Sequence, residues 1–139
     1  MKIAIFSDIF YPELSGISDS IITLAKELAK KGHEIHFYAP KYSAKNFRIV
    51  GLPEQELDLG RNITIHRLFS FPFPGPAGQS RFVIPLGLSL LSIRKINPDV
   101  IHSQLIFGVG LEALISAKLN KIPLIGTNHT AITEFVRYL

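Results

Sequence analysis

The chain has 139 residues, 47% of them hydrophobic, enough for one domain around one continuous core and too few for two. It has no cysteine, which excludes disulfide staples and thiolate metal sites and agrees with a reducing cytoplasm. A formal net charge of +4 and a sequence pI of about 9.5 favour anionic partners in general, but there is no Lys/Arg block of the nucleic-acid type, so no nucleic-acid partner is expected.

Residues 2–7 read as a first strand; Ile3-Ala4-Ile5-Phe6 directly after Lys2 lacks the features of a secretory signal. Ile17, Ile21, Leu24, Ala25 and Leu28 recur at helical spacing and predict a helix that stops at Lys31-Gly32, where glycine can turn left-handed. Lys26, Lys30 and Lys31 are expected on its solvated side. Residues 34–39 alternate up to Pro40 and predict a second strand, at the edge or second position of a sheet. Residues 41–61 show no sustained period and carry no predicted element. Residues 62–67 predict a third strand, with Ile63 and Ile65 facing one way.

Residues 69–76 contain too many prolines for either regular element. The apolar run 82–93 is broken by Pro85 and Gly87 and falls short of the roughly 20 residues a membrane span needs. A core helix over 85–96 is expected instead, with Leu86, Leu90 and Ile93 on one face and Asn97-Pro98-Asp99 closing it. A short strand at 100–102, a helix over 110–118 presenting Leu111, Leu114 and Ile115, and a last strand at 122–127 follow. Residues 128–130 turn into an amphipathic pattern over 132–139 with no cap or closing strand, so the chain reads as a piece of a longer protein. The alternation of strands and helices predicts an α/β domain with a Rossmann-like open parallel sheet flanked by helices.

In such a sheet ligands bind at the carboxyl ends of the strands, which selects the loops 8–16, 103–110 and 128–130. Gly16 would let an anion approach the backbone at a helix start, or would merely make a tight turn. The absence of G-x-G-x-x-G and of G-x-x-x-x-G-K-[ST] counts against a nicotinamide dehydrogenase and a P-loop nucleotidase. Asp8 can cap the coming turn or orient a substrate hydroxyl. His33, His36 and His66 are expected to be surface or satisfied core residues. His102 and His129 differ, because both sit at strand ends and can point into one cleft. No H-E-x-x-H or similar spacing joins them, so no metal is expected, and the lack of a G-x-S-x-G elbow disfavours a Ser-His-Asp triad. Polar contacts to sugar or phosphate remain.

Several segments together resemble a known family. They are Phe6-Ser7-Asp8 with Phe10, Pro12 and Gly16, Leu24-Ala25 to Leu28, and Lys31-Gly32-His33-Glu34-Ile35 with Pro40. The second half adds Pro98-Asp99-Val100-Ile101-His102-Ser103, Gly108, Ile122-Pro123-Leu124-Ile125-Gly126-Thr127 and His129-Thr130. In order and spacing these are similar to the N-terminal domain of a GT-B glycosyltransferase of the GT4 type.

The resemblance implies that residues 1–139 form the acceptor-side half of a GT-B fold, with most of the donor site in a C-terminal domain of the same protein. It implies sugar transfer with retention from a nucleotide-sugar donor such as a UDP- or GDP-sugar, without a further cofactor or a metal. Gly16, Ser15 and Thr130 would serve the donor, His129 would contact the transferred sugar, and Asp8, His102 and Phe107 would face the acceptor. Many members have paired glycines where this chain has Ser15-Gly16, so amide approach would rest on Gly16, with the Ser15 hydroxyl helping or idle.

Residues 129–138 are similar to enzymes that glycosylate diacylglycerol or phosphatidylinositol at the cytoplasmic membrane face. A cytoplasmic, peripheral location and a sugar or lipid acceptor follow as expectations. Phe71-Pro72-Phe73-Pro74 with Arg81 and Arg94 would touch anionic lipid or pack locally. The competing expectations are a sugar epimerase or phosphorylase of the same architecture, and a non-catalytic metabolite-binding α/β domain.

Overall fold

A computed structural model describes residues 1–75 and 78–129. Thr130 and the amphipathic pattern over 132–139 therefore lie outside the described residues. The elements in chain order are β1 (Lys2–Phe6), α1 (Gly16–Lys30), β2 (Glu34–Pro40), α2 (Ala44–Ile49), β3 (Ile63–Leu68), β4 (Phe71–Pro72), β5 (Arg81–Phe82), α3 (Leu90–Ile96), β6 (Val100–Ser103), α4 (Gly108–Asn120) and β7 (Leu124–Gly126). Five of the strands form one sheet in the order β3-β2-β1-β6-β7, every pair parallel.

Side chains alternate across each strand, and helices cover both faces. Ala4, Phe6, Tyr38 and Ile101 face Ile93 of α3 and Val109, Ala113 and Ala117 of α4. Ile3, Ile5, Ile35 and Phe37 face Ile21 and Ala25 of α1. Phe6 stacks on Tyr38 with ring centroids 4.5 Å apart, and Phe10 meets Phe37 at 4.7 Å on the other face. Because α1 leaves β1 toward one face and α4 leaves β6 toward the other, the chain splays apart between these neighbouring strands, where α/β sheets open a ligand crevice.

Most expected elements are present. Helix α1 ends at Lys30, Gly32 takes φ +90°, and Lys26, Lys30 and Lys31 are exposed, although Leu24 is 38% exposed rather than inward. β2 lies second in the sheet. His33 binds the terminal amine at 3.1 Å. His36 is buried, with its Nδ1 3.0 Å from His66 Nε2 and its Nε2 2.7 Å from Glu34 Oε1.

Four expectations are corrected. The segment without a period contains α2, whose six residues are too few to show one; it starts where the Ser43 N–H donates to Asn46 Oδ1 at 2.9 Å. The proline-rich loop contains β4, paired antiparallel with β5 through Phe71 to Phe82 and Pro72 to Arg81. Two residues at a sheet margin need few backbone N–H groups, so Pro72 is tolerated. Helix α3 starts at Leu90 rather than 85, because Gly87 takes φ +79° and the amides of residues 87–89 turn toward Glu112; Leu86 is left 75% exposed.

The face of α4 is the fourth. Its inward residues are Val109, Glu112, Ala113, Ser116 and Ala117, whereas Leu111 and Leu114 are 43% and 48% exposed. The helix approaches its neighbours too closely for large side chains. A Cβ on Gly108 would stand 2.0 Å from the Val83 carbonyl oxygen, and one on Gly110 2.0 Å from that of Leu105.

Candidate functional site

Three loops leave the carboxyl ends of β1, β6 and β7, which are adjacent in the sheet. Asp8, in the first of them, is buried and does not cap its own turn. Its carboxylate accepts the N–H of Val109 at 2.8 Å and that of Gly110 at 3.3 Å, so it caps α4, 101 residues further along the chain. A carboxylate at a helix N-terminus satisfies orphan amides and the positive dipole end. Burial pushes the Asp8 carboxyl above its ordinary range, and the amides of Val109, Gly110 and Phe107 pull against it without cancelling the rise.

Ser15 is the N-cap of α1, its Oγ accepting the Ser18 N–H at 3.1 Å. Its hydroxyl therefore has a structural task. Gly16 opens the helix with no left-handed φ, and a Cβ built there would meet nothing within 4 Å. Neither backbone strain nor packing requires glycine at this position.

Beside this loop is a cavity of about 310 Å³, lined among others by Asp8, Glu13, Ile17, Phe73, Arg81 and Phe107. Phe107 is 63% exposed at its rim. Burial raises the Glu13 carboxyl, opposed by the Tyr42 hydroxyl that donates to Oε2 at 3.0 Å. The Tyr42 oxygen also accepts the Phe10 N–H at 3.3 Å, which anchors the loop from β2's side of the sheet. Arg81 is turned back on the hairpin, donating from Nε to Ser70 Oγ at 2.9 Å and from Nη2 to the Ser70 carbonyl at 2.7 Å. For this arginine local packing applies.

His102 and His129 do come together, through a residue between them. His102 Nε2 lies 2.7 Å from Thr127 Oγ1 and 3.2 Å from the side-chain nitrogen of Gln104, and His129 Nε2 lies 2.7 Å from Gln104 Oε1. Burial, and secondarily the neighbouring His129, hold the His102 imidazole below its ordinary value. Among the described residues, no three or more His, Cys, Asp or Glu side chains are grouped to hold a metal ion.

The model of Glycosyltransferase Family 4 matches residues 14–139. The chain belongs to this family. It is 28% identical over 139 residues to an alpha-monoglucosyldiacylglycerol synthase of Streptococcus pneumoniae, covering all of this chain and 29% of that protein. It is 26% identical to a protein of the same description from Acholeplasma laidlawii, covering all of this chain and 32% of the relative. A GDP-mannose-dependent alpha-mannosyltransferase of Corynebacterium glutamicum is 27% identical over 97% of this chain and 30% of its own length. The chain thus spans about a third of the length of the curated relatives it matches.

For a Family 4 domain the parallel sheet is the expected half of a GT-B fold, and Gly16, Ser15, Asp8, Phe107, His102 and His129 all stand at its carboxyl end. Gln104 and Glu13 escaped the sequence reading. Gln104 stands two residues past His102 in a loop that reading had selected, but its reach to His129 depends on the pairing of β6 with β7. Glu13 gains its place from Tyr42, 29 residues away.

Proposed function

We propose that the chain is the acceptor-side domain of a glycosyltransferase that moves a sugar, with retention, from a UDP- or GDP-sugar to a sugar or lipid acceptor. The observation that carries this is the convergence on one sheet end of the α1 N-terminus at Gly16, where a Cβ would meet nothing, the His102–Gln104–His129 network and the adjoining cavity. Departure of a nucleoside diphosphate builds negative charge. The N-terminus of α1 stabilises that charge through its dipole without moving a proton, and His129 supplies a hydrogen bond to the transferred sugar. Ser15 takes part by fixing the helix start, and Thr130, outside the described residues, is assigned to the donor by the family resemblance alone.

The acceptor enters the cavity between Asp8 and Phe107. A glycerolipid acceptor at the cytoplasmic membrane face is favoured by the hairpin, where Phe69, Phe71 and Phe73 are 64%, 43% and 56% exposed. Two relatives are described as alpha-monoglucosyldiacylglycerol synthases, which supports the same choice. No helix among the described residues is long and apolar enough to cross a membrane.

The test uses the full-length protein, with calorimetry against UDP- and GDP-sugars and product analysis with diacylglycerol or sugar acceptors. Donor binding and an acceptor-dependent product of retained configuration are expected, and His129→Ala should lower the rate by on the order of 100-fold or more. Failure to bind any nucleotide sugar sinks the proposal. Conversion without an acceptor would instead identify an epimerase.

A further inference from the structure

We propose that Gln104 is the positioning residue of this site, fixing the ring of His129 and setting the tautomers of both histidines. The inference rests on the reading of His129 as the residue that meets the transferred sugar.

With the Gln104 amide oriented as it is in the structure, the chemistry of the amide sets both tautomers. An amide oxygen has no hydrogen to give, so the 2.7 Å contact between Gln104 Oε1 and His129 Nε2 requires an N–H on that nitrogen. The amide nitrogen carries only hydrogens, so at 3.2 Å His102 Nε2 must present its lone pair. The Thr127 hydroxyl, 2.7 Å away, donates to the same nitrogen. His102 is thereby the neutral tautomer with its hydrogen on Nδ1, and a second proton on its ring would face two donors. On His129 the amide oxygen holds the hydrogen on Nε2.

Turning the amide over would reverse both tautomers together, so one side chain couples two rings. Gln104 is suited to hold a single state. It is 2% exposed, its backbone N–H donates to the Phe6 carbonyl at 2.8 Å, and both ends of its amide are engaged. The arrangement resembles the way a partner on one imidazole nitrogen fixes the tautomer and orientation of a reactive ring.

The test has two independent readouts on the full-length protein. Histidine ¹⁵N spectra should show the hydrogen of His129 on Nε2 and that of His102 on Nδ1. In Gln104→Leu both assignments should relax to a mixture, and kcat should fall on the order of 100-fold, the cost of misplacing a reacting group by about 1 Å, with KM values kept within about threefold. Gln104→Glu keeps an acceptor for His129 and should retain more kcat per folded molecule than Gln104→Leu. A merely structural residue predicts equal kcat per folded molecule in both variants and only a lower thermal midpoint for Gln104→Glu, because the buried carboxylate is the worse lodger. Opposite tautomers in the parent protein, an unchanged kcat in Gln104→Leu, or a Glu variant no faster than the Leu variant would each overturn the proposal. A parent protein that transfers no sugar would instead overturn the transferase reading, while the spectra still decide how Gln104 sets the two rings.

Discussion

Gly16 and Gly108 both open helices, yet their surroundings ask different things of them. A methyl group at Gly108 would collide with the Val83 backbone, whereas one at Gly16 would enter empty space. Gly108→Ala should therefore cost ~3 kcal/mol, as forced overpacking against backbone does, and show as a lowered urea midpoint. Gly16→Ala should leave thermal unfolding unchanged or slightly improved, because alanine restricts the unfolded chain, while weakening donor binding in calorimetry. If Gly16→Ala destabilises the fold, or leaves donor affinity intact, its assignment to the donor is wrong. The positions of Asp8, His102 and His129 near strand ends, and of Gly16 at a helix start, were legible in the sequence because each lies close to the boundary of an element. Their partners were not. The cap that Asp8 supplies to α4 and the link through Gln104 join residues that only the sheet order brings together.

At the scale of elements, helix starts depend on distant side chains as much as on local sequence. Glu112 of α4 is fully buried, and its carboxylate accepts N–H groups from Gly87, Leu88 and Ser89 at 2.6, 3.0 and 3.2 Å together with the Ser89 hydroxyl at 2.9 Å. It thus organises the approach to α3 from a neighbouring helix. Glu112→Ala would strand the buried Ser89 donors and leave the part-buried bonds from Gly87 and Leu88 unmade, and should destabilise the chain by ~3 kcal/mol, measured by urea unfolding, with Glu112→Gln recovering part of the loss. The leucines of α4 misled the periodicity reading for a related reason. Close helix packing selects small residues for the inner face, and hydropathy alone ranks Leu111 and Leu114 above Ala113 and Ala117 as core candidates. Strands were easier to read, since a sheet covered on both faces needs continuous apolar runs.

For the molecule as a whole, two imidazoles give acid a direction. Burial and then the neighbouring His36 hold His66 below the ordinary value of 6.5, and burial and then His129 do the same for His102. As pH falls below that value the unfolded chain takes up protons that the folded chain resists, so the stability tied to these groups is complete above 6.5 and drains away toward their lowered folded values. Asp8 and Glu13 act oppositely: their raised carboxyls favour the fold as pH falls through those values. The thermal midpoint of the parent protein relative to His66→Gln should accordingly decline between about pH 7.5 and about pH 5.5, in calorimetric scans of both. A constant difference would show that the ring is not held neutral by the fold.

The link from Asp8 to α4 has a further consequence, in the language of amide exchange. The N–H groups of Val109 and Gly110 can trade hydrogen with solvent only when the loop after β1 releases them. Their exchange rates are a built-in gauge of how often the crevice loosens. A ligand seated at Gly16 that steadies the loop would slow two amides it never touches.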